Sequence, residues 1–211
     1  MLNNQPVTQV EYVLRDNQSP ISRTDAKGRI TYVNSDFCEA SGFAEDELMG
    51  KAHNLVRHPD MPEEAFADMW RDLPQGLTWT GMVKNRRKNG DYYWVLANVS
   101  PIWENGHIAG YASVRMKPAR DAIAPVDAIY WRFRSGQARG LRIRHGAVVH
   151  TGLLGWFDRW WQPNINRRLV LLMLLAAALL AGVGALGLSG MHASTQQVQS
   201  IYREGARALI H

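Results

Sequence analysis

Two Asn-Gly corners, Asn89-Gly90 and Asn105-Gly106, constrain the fold of this chain more than any other feature. The stretches around them favour extended backbone: Trp79 to Arg87, Tyr92 to Trp103, and Ile108 to Met116. An Asn-Gly pair enters the positive-φ region of a two-residue hairpin turn at little cost, because Gly has no Cβ and Asn tolerates left-handed backbone. Three consecutive antiparallel strands are therefore expected. Such a meander needs a covering layer for its apolar face, and the preceding residues must supply it.

That layer is legible upstream. Ile21 to Thr24 and Arg29 to Val33 read as two further strands joined through Asp25-Ala26-Lys27-Gly28. Asn34-Ser35-Asp36 offers N-cap side chains for a short helix carrying Phe37 and Ala40 and stopping at Gly42. Ala44 to Met49 reads as a second short helix, ended by Gly50. Pro62 suits the start of a helix from Glu63 to Leu73, with Phe66, Met69, Trp70 and Leu73 on one face. The expected fold class is α+β, a five-stranded antiparallel sheet with short helices on one face. Residues 1–20 are expected to form a mobile N-terminal cap and 21–118 the folded domain.

Beyond Lys117-Pro118 the character of the chain changes. Val126, Ile129, Tyr130 and Phe133 stand at i, i+3, i+4 and i+7, the pattern of an amphipathic helix, and Leu141 to Thr151 reads as a short basic hairpin. Trp156, Trp160, Trp161 and Arg167-Arg168 then precede Leu169 to Met191, 23 residues without a charge. About 20 apolar residues suffice to cross a bilayer. Residues 167–191 are thus expected as a transmembrane helix, 119–166 as a basic juxtamembrane linker, and 192–211 as the start of an extracytoplasmic segment. A buried pair of short core helices is the alternative.

Charge supports the same expectation. Up to Val114, 11 Lys and Arg face 15 Asp and Glu, whereas Arg115 to Arg168 carries 11 against 3. A basic connector after an acidic domain suits an anionic membrane surface rather than nucleic acid. Basic residues on the N-terminal side of the apolar run place the domain in the cytoplasm and the tail in the periplasm, so a bacterial inner membrane is the expected location. The single cysteine, Cys38, excludes an intramolecular disulfide and any multi-cysteine metal site.

Three runs carry a family resemblance: Asp-Ala-Lys-Gly-Arg-Ile-Thr-Tyr-Val-Asn at 25–34, Ser-Gly-Phe-Ala-Glu-Asp-Glu-Leu-Met-Gly-Lys at 41–51, and Arg-Lys-Asn-Gly-Asp-Tyr-Tyr-Trp-Val at 87–95. Together they resemble a PAS domain. Asn54-Leu55-Val56-Arg57-His58-Pro59-Asp60-Met61-Pro62 and Val83-Lys84-Asn85-Arg86-Arg87-Lys88-Asn89-Gly90-Asp91 narrow the resemblance to bacterial aerotaxis receptors, PAS-bearing members of the methyl-accepting chemotaxis superfamily. The likeness runs from Thr24 to Gly155, and the tail resembles the start of a chemoreceptor periplasmic helix.

This resemblance implies noncovalent FAD, a redox or oxygen sensor serving energy taxis, a homodimer, and chemotaxis kinase and adaptor partners reached through a C-terminal signalling region. Arg57, His58, Asp60 and Trp79 stand where that family's flavin-sensitive positions stand, with Asn34 and Asn85 as implied pocket-lining residues. The side chains are compatible with such a ligand. Trp79 and Trp94 offer an apolar slot backed by Phe37, Met69 and Trp70, while Asn85 and Asn98 offer amides to a polar ring edge. Arg57 and His58 suit a pyrophosphate, and Asp60 could orient Arg57 or take ribose hydroxyls.

Plainer readings stand beside these. Arg57 and Asp60 could form a local ion pair, His58 could serve the turn before Pro59, and Trp70 could be core. Trp94 could face solvent, Arg86-Arg87-Lys88 could be a solvated hairpin tip, and Cys38 a small buried hydrophobe. Flavin photoreceptors of the LOV type place an adduct-forming Cys where this chain has His53-Asn54-Leu55-Val56-Arg57, so thiol photochemistry is not expected. No nucleophile–base pair, metal cluster or phosphate loop marks an enzyme. Haem held by His53 or His58, a cofactor-free dimerisation module, and the input half of a kinase or cyclase remain as alternatives.

Overall fold

The computed structural model describes residues 4–151, 170 and 172–180. Residues 4–151 belong to one compact unit. Strands β1 (Ile21–Asp25) and β2 (Ile30–Val33) open the domain, followed by α1 (Ser35–Ser41), α2 (Glu45–Leu48), a 3-10 turn (His53–Val56) and α3 (Glu63–Asp72). Strands β3 (Trp79–Arg86), β4 (Tyr92–Glu104) and β5 (His107–Met116) form the meander. The order across the sheet is β2-β1-β5-β4-β3, all neighbours antiparallel. The chain thus crosses from one edge to the other through its helices, which lie over what we call the front face. Asn105 and Gly106 take φ values of 49° and 82°, the positive pair the Asn-Gly corner was expected to supply.

Register decides which side chains share a face, because directly opposed residues of an antiparallel pair point the same way. Trp79 faces Val99, Gly81 faces Ala97, Val83 faces Val95 and Asn85 faces Tyr93. Val99 in turn faces Ser113, and Ala97 faces Arg115. All of these belong to the front. Lys84 opposite Trp94, and Arg86 opposite Tyr92, belong to the back.

The helices within residues 21–118 keep to one face, and the other face is covered from the stretch expected as a linker at 119–166. A fourth helix, α4 (Arg120–Arg134), covers the back: Trp94 stacks on its Tyr130 with ring centroids 6.3 Å apart, and the Tyr130 hydroxyl donates to the Met82 carbonyl at 2.8 Å. The amphipathic stripe read from the sequence buries Tyr130 and Phe133. A hairpin follows, β6 (Leu141–Arg144) and β7 (Ala147–His150). It rests against α3 through Asp68 and Asp72.

The N-terminal segment is also corrected from a mobile cap to a packed one. Strand β5 covers β4 only from Leu96 onward, which leaves the backbone of Tyr92 to Val95 open on one side. Residues 8–12 fill part of that gap: the Tyr12 amide donates to the Tyr92 carbonyl at 2.7 Å, and the Tyr92 amide donates to the Val10 carbonyl at 3.0 Å. Arg86, expected at a solvated hairpin tip, is buried and donates to the carbonyls of Gln5 and Pro6. Its neighbours Arg87 and Lys88 hold the Glu39 carbonyl and the Glu47 carboxylate.

The expected inner-membrane location is overturned, while the span itself, residues 167–191, is unconfirmed. Of residues 167–191 only 170 and 172–180 are described; these are helical, and no helix among the described residues is long and apolar enough to cross a membrane. The inner-membrane location, and with it the periplasmic tail, is corrected on that finding. The expected tryptophan belt at Trp156, Trp160 and Trp161, and the tail at 192–211, lie outside the described residues.

Candidate cofactor cavity

Between α3 and the front of the sheet lies a cavity of about 930 Å³, its open mouth included. The enclosed part is about 190 Å³, below the roughly 300–1,000 Å³ of drug-sized ligand sites, so a larger ligand would extend out through the mouth. One wall is apolar and aromatic. Helix α3 supplies Phe66, Met69 and Trp70, and the sheet supplies Val83, Ala97, Val99 and Tyr111. The i, i+3, i+4 spacing on α3 aligns its three residues on the cavity side. The mouth is flanked by Lys27 and Gly28 of the β1–β2 turn and by Asn54.

Trp79 forms one end of the slot and is held from two sides. Its indole N–H donates to Asp68 Oδ2 at 2.8 Å. Its ring lies over Gly81, two residues along the same face, where any Cβ would collide with the six-membered ring. Glycine at 81 is thus what allows the ring to lie along the sheet.

The other end is polar. Arg57 and Asn85 form an isolated antiparallel bridge, which brings the His53–Val56 turn against the end of β3. The Arg57 guanidinium sits 4.0 Å from the centre of the Phe66 ring and donates to the Met61 carbonyl at 3.1 Å. Burial pulls its pKa down, with Glu63 acting in the opposite direction. Three buried polar atoms on this lining have no partner within the protein: Arg57 Nε, Asn85 Nδ2 and Ser113 Oγ. Two of them can only donate and the serine hydroxyl can donate or accept, so the lining calls for a ligand with acceptors along a planar edge.

Arg115 closes the polar end. It is buried at 3% exposure, and no carboxylate pairs with it among the described residues. Its guanidinium donates to Ser22 Oγ at 3.1 Å and reaches His53 Nε2 at 2.8 Å. Burial lowers its pKa to about 10. Burial, and then the Arg115 charge, push His53 down to about 3, so the imidazole is neutral and accepts through Nε2. A buried cation facing an uncharged acceptor leaves positive potential in the cavity.

The residues expected from the sequence divide. Arg57, Trp79 and Asn85 line the cavity together, as do Met69 and Trp70. The remaining five candidates, Asn34, His58, Asp60, Trp94 and Asn98, do not. Asn34 caps α1: its Oδ1 accepts from the amides of Phe37 and Ile21, and its Nδ2 donates to the Ser19 carbonyl. His58 is buried with its Nδ1 accepting from the Asp60 amide at 3.0 Å, and burial followed by the Lys84 charge lowers its pKa to about 4. Asp60 joins Lys84 at 2.7 Å and Arg134 at 2.6 Å, not Arg57. Burial raises the Asp60 pKa, but the Lys84 hydrogen bond and charge outweigh it and hold the carboxyl low. Trp94 faces the back, and Asn98 is exposed there. Phe37 and Cys38 pack in a separate cluster with Ile30, Val33, Leu48 and Val56.

Sequence reasoning missed Arg115, Ser113 and Ser22. A signal was present: along β5 the alternation puts Tyr111, Ser113 and Arg115 on one face and Ala112, Val114 and Met116 on the other. A serine and an arginine in line with the buried tyrosine mark a polar patch inside the domain.

The PAS-fold family model and the relative matched over most of this chain agree with this architecture. A family model described as PAS fold matches residues 30–115, and one described as Tar ligand binding domain homologue matches residues 162–209. The aerotaxis receptor of Escherichia coli (strain K12) is 43% identical over 183 residues, covering 85% of this chain and 35% of that receptor. The nitrogen fixation regulatory protein of Klebsiella pneumoniae is 33% identical over 82 residues, 39% of this chain and 17% of that protein. The dark structure of the blue-light photoreceptor Aureochrome1 LOV aligns with a TM-score of 0.47 at 20% identity, covering 58% of this chain and 88% of that one. The chain spans about a third of the length of the aerotaxis receptor it matches.

Proposed function

Residues 30–115 of this chain are a PAS domain in a sequence like the N-terminal part of an aerotaxis receptor, and on that premise we propose that the cavity binds FAD noncovalently and that the domain senses redox state for energy taxis. The observation that carries the proposal is the polar end of the cavity. Partnerless donors at Arg57 Nε and Asn85 Nδ2, with the unpaired Arg115 cation beside them, face an aromatic slot. An oxidised isoalloxazine is a flat aromatic system with acceptors along one edge, and it fits that donor set.

In this reading Trp79, Phe66, Met69 and Trp70 enclose the ring, while Asn85, Arg57 and Ser113 meet its polar edge. Lys27 at the mouth is the cation available to a diphosphate tail. When bound, a flavin supplies a ring whose charge and protonation change on reduction. The chain's part is to hold that ring away from water and to present Arg115 and the Asn85 amide to it, so that a change in ring charge alters their hydrogen bonding. The chain is read as a sensor and not an enzyme, in line with its likeness to a receptor. A homodimer and a chemotaxis kinase and adaptor are the partners we propose, reached through a signalling region such as a receptor carries.

The test is a redox cycle on the full chain. Flavin absorption that bleaches on chemical reduction and returns in air, with altered protease sensitivity of residues 120–151, supports the proposal. Bleaching with no change anywhere in the protein would contradict sensing.

A further inference from the structure

The cavity wall and the β6–β7 hairpin meet at a single oxygen atom. Asp68 Oδ2 accepts the Trp79 indole N–H at 2.8 Å and the Gly146 amide N–H at 2.8 Å. Arg71 takes the other oxygen of the same carboxylate. Asp68 is only 2% exposed, so water offers little replacement for either bond. One turn further along α3, Asp72 Oδ2 bonds His145 Nδ1 at 2.7 Å. Two carboxylates on the side of α3 away from the cavity therefore hold both residues of the β6–β7 turn. Gly146 has φ 79°, and a Cβ there would run into the Thr80 carbonyl, the residue beside Trp79. The turn sits directly on the strand that carries the cavity wall.

Burying a carboxylate in this place is costly unless its bonds are kept, and an apolar residue would pack α3 equally well. We infer that Asp68 is a positioning residue that ties Trp79 on the cavity wall to the β6–β7 turn, so that a displacement of Trp79 by the ligand is read at Gly146. The ligand half of this inference rests on the proposed cofactor cavity; the tie between Trp79 and Gly146 does not. Because both N–H groups share one oxygen, a shift of the indole re-aims the carboxylate and changes the second bond. Coupling of this kind is reciprocal: loosening the turn must also act on Trp79.

The experiment uses the full chain, 15N-labelled, and follows individual amide and indole exchange rates. Without ligand, Trp79→Phe removes one donor from Asp68, and the Gly146 amide is expected to exchange about fivefold faster, the worth of one modest hydrogen bond. The Gly42 amide, bonded to the Cys38 carbonyl in the other core cluster, should keep its rate. Should Trp79→Phe loosen the whole domain, His145→Ala decides from the other side. His145 does not line the cavity, and its removal is expected to shift the Trp79 indole resonance and speed its exchange. An unmoved Gly146 in the first variant, or an unmoved Trp79 indole in the second, overturns the tie. Added FAD supplies the last arm. If FAD binds and the Gly146 rate changes at least about twofold, the ligand half stands. If it binds and Gly146 does not respond, that half is overturned with the cavity reading intact. If it does not bind, the cavity reading fails, and the two ligand-free variants still decide the role of Asp68.

Discussion

Arg115 Nη2 lies 2.8 Å from His53 Nε2, so a buried guanidinium ends on a neutral imidazole where a carboxylate would ordinarily be found. The pair has a consequence for stability. His53 is held at about 3 and His58 at about 4, both far below the ordinary histidine value, mainly by burial. The unfolded chain therefore binds more protons than the native one between those values and about pH 6.5. Stability contributed by the neutral histidines is complete above that pH and is lost as the pH falls. Urea unfolding from pH 7 to 4.5 should lose roughly 1 kcal/mol per pH unit for each of them. His53→Gln keeps an acceptor for Arg115 and His58→Asn keeps one for the Asp60 amide; each should flatten the slope by about one proton. A flat profile in the unsubstituted protein would contradict the assignment of neutral histidines.

Asp60 neutralises Lys84, which is 6% exposed and lies 4.4 Å from the Tyr92 ring centre. Asp60→Asn leaves a buried ammonium without its carboxylate and should cost about 2–3 kcal/mol. Neither residue lines the cavity, so the ligand affinity of the folded fraction should not change. A folded, stable Asp60→Asn protein with weakened ligand binding would return Asp60 to the site.

Asn34 behaves as a helix cap. Asn34→Ala removes the bond to the Phe37 amide and two others, and should destabilise by about 1–2 kcal/mol in a thermal or urea melt. Bound ligand per folded chain should be unchanged.

Gly81→Ala places a methyl group where the Trp79 ring lies. The ring must swing into the cavity, at a cost of about 1–3 kcal/mol typical of overpacking. Ligand binding should fall in this variant even at temperatures where circular dichroism shows it folded. Retained affinity would mean that the ring has another place to go.

The parts of the fold set by short-range chemistry were legible. Asn105-Gly106 could be read as a turn because backbone preference alone decides it, and the α3 stripe because its spacing is local. In the site, Trp79 and Asn85 were legible for the same reason that Trp94 and Asn98 should have been set aside. Counting by twos along β3 and β4 from the observed register puts the first two in front and the others behind, but register is a tertiary fact. His58 and Asp60 were drawn in by their nearness to Arg57 in sequence. The chain leaves the His53–Val56 turn in extended form, which carries both residues toward Lys84 instead. Arg115 was overlooked because a cation on a strand is ordinarily solvated, and only the cover of the helices makes it internal.

The central claim, a flavin in this cavity, is tested most directly by purifying the full chain under gentle conditions, recording its visible spectrum and identifying the released cofactor by mass. The account predicts oxidised-flavin absorption with about one FAD per chain, lost in Asn85→Ala with Arg57→Ala while the far-ultraviolet circular dichroism is kept. A folded, colourless protein that takes up no FAD on reconstitution would contradict it.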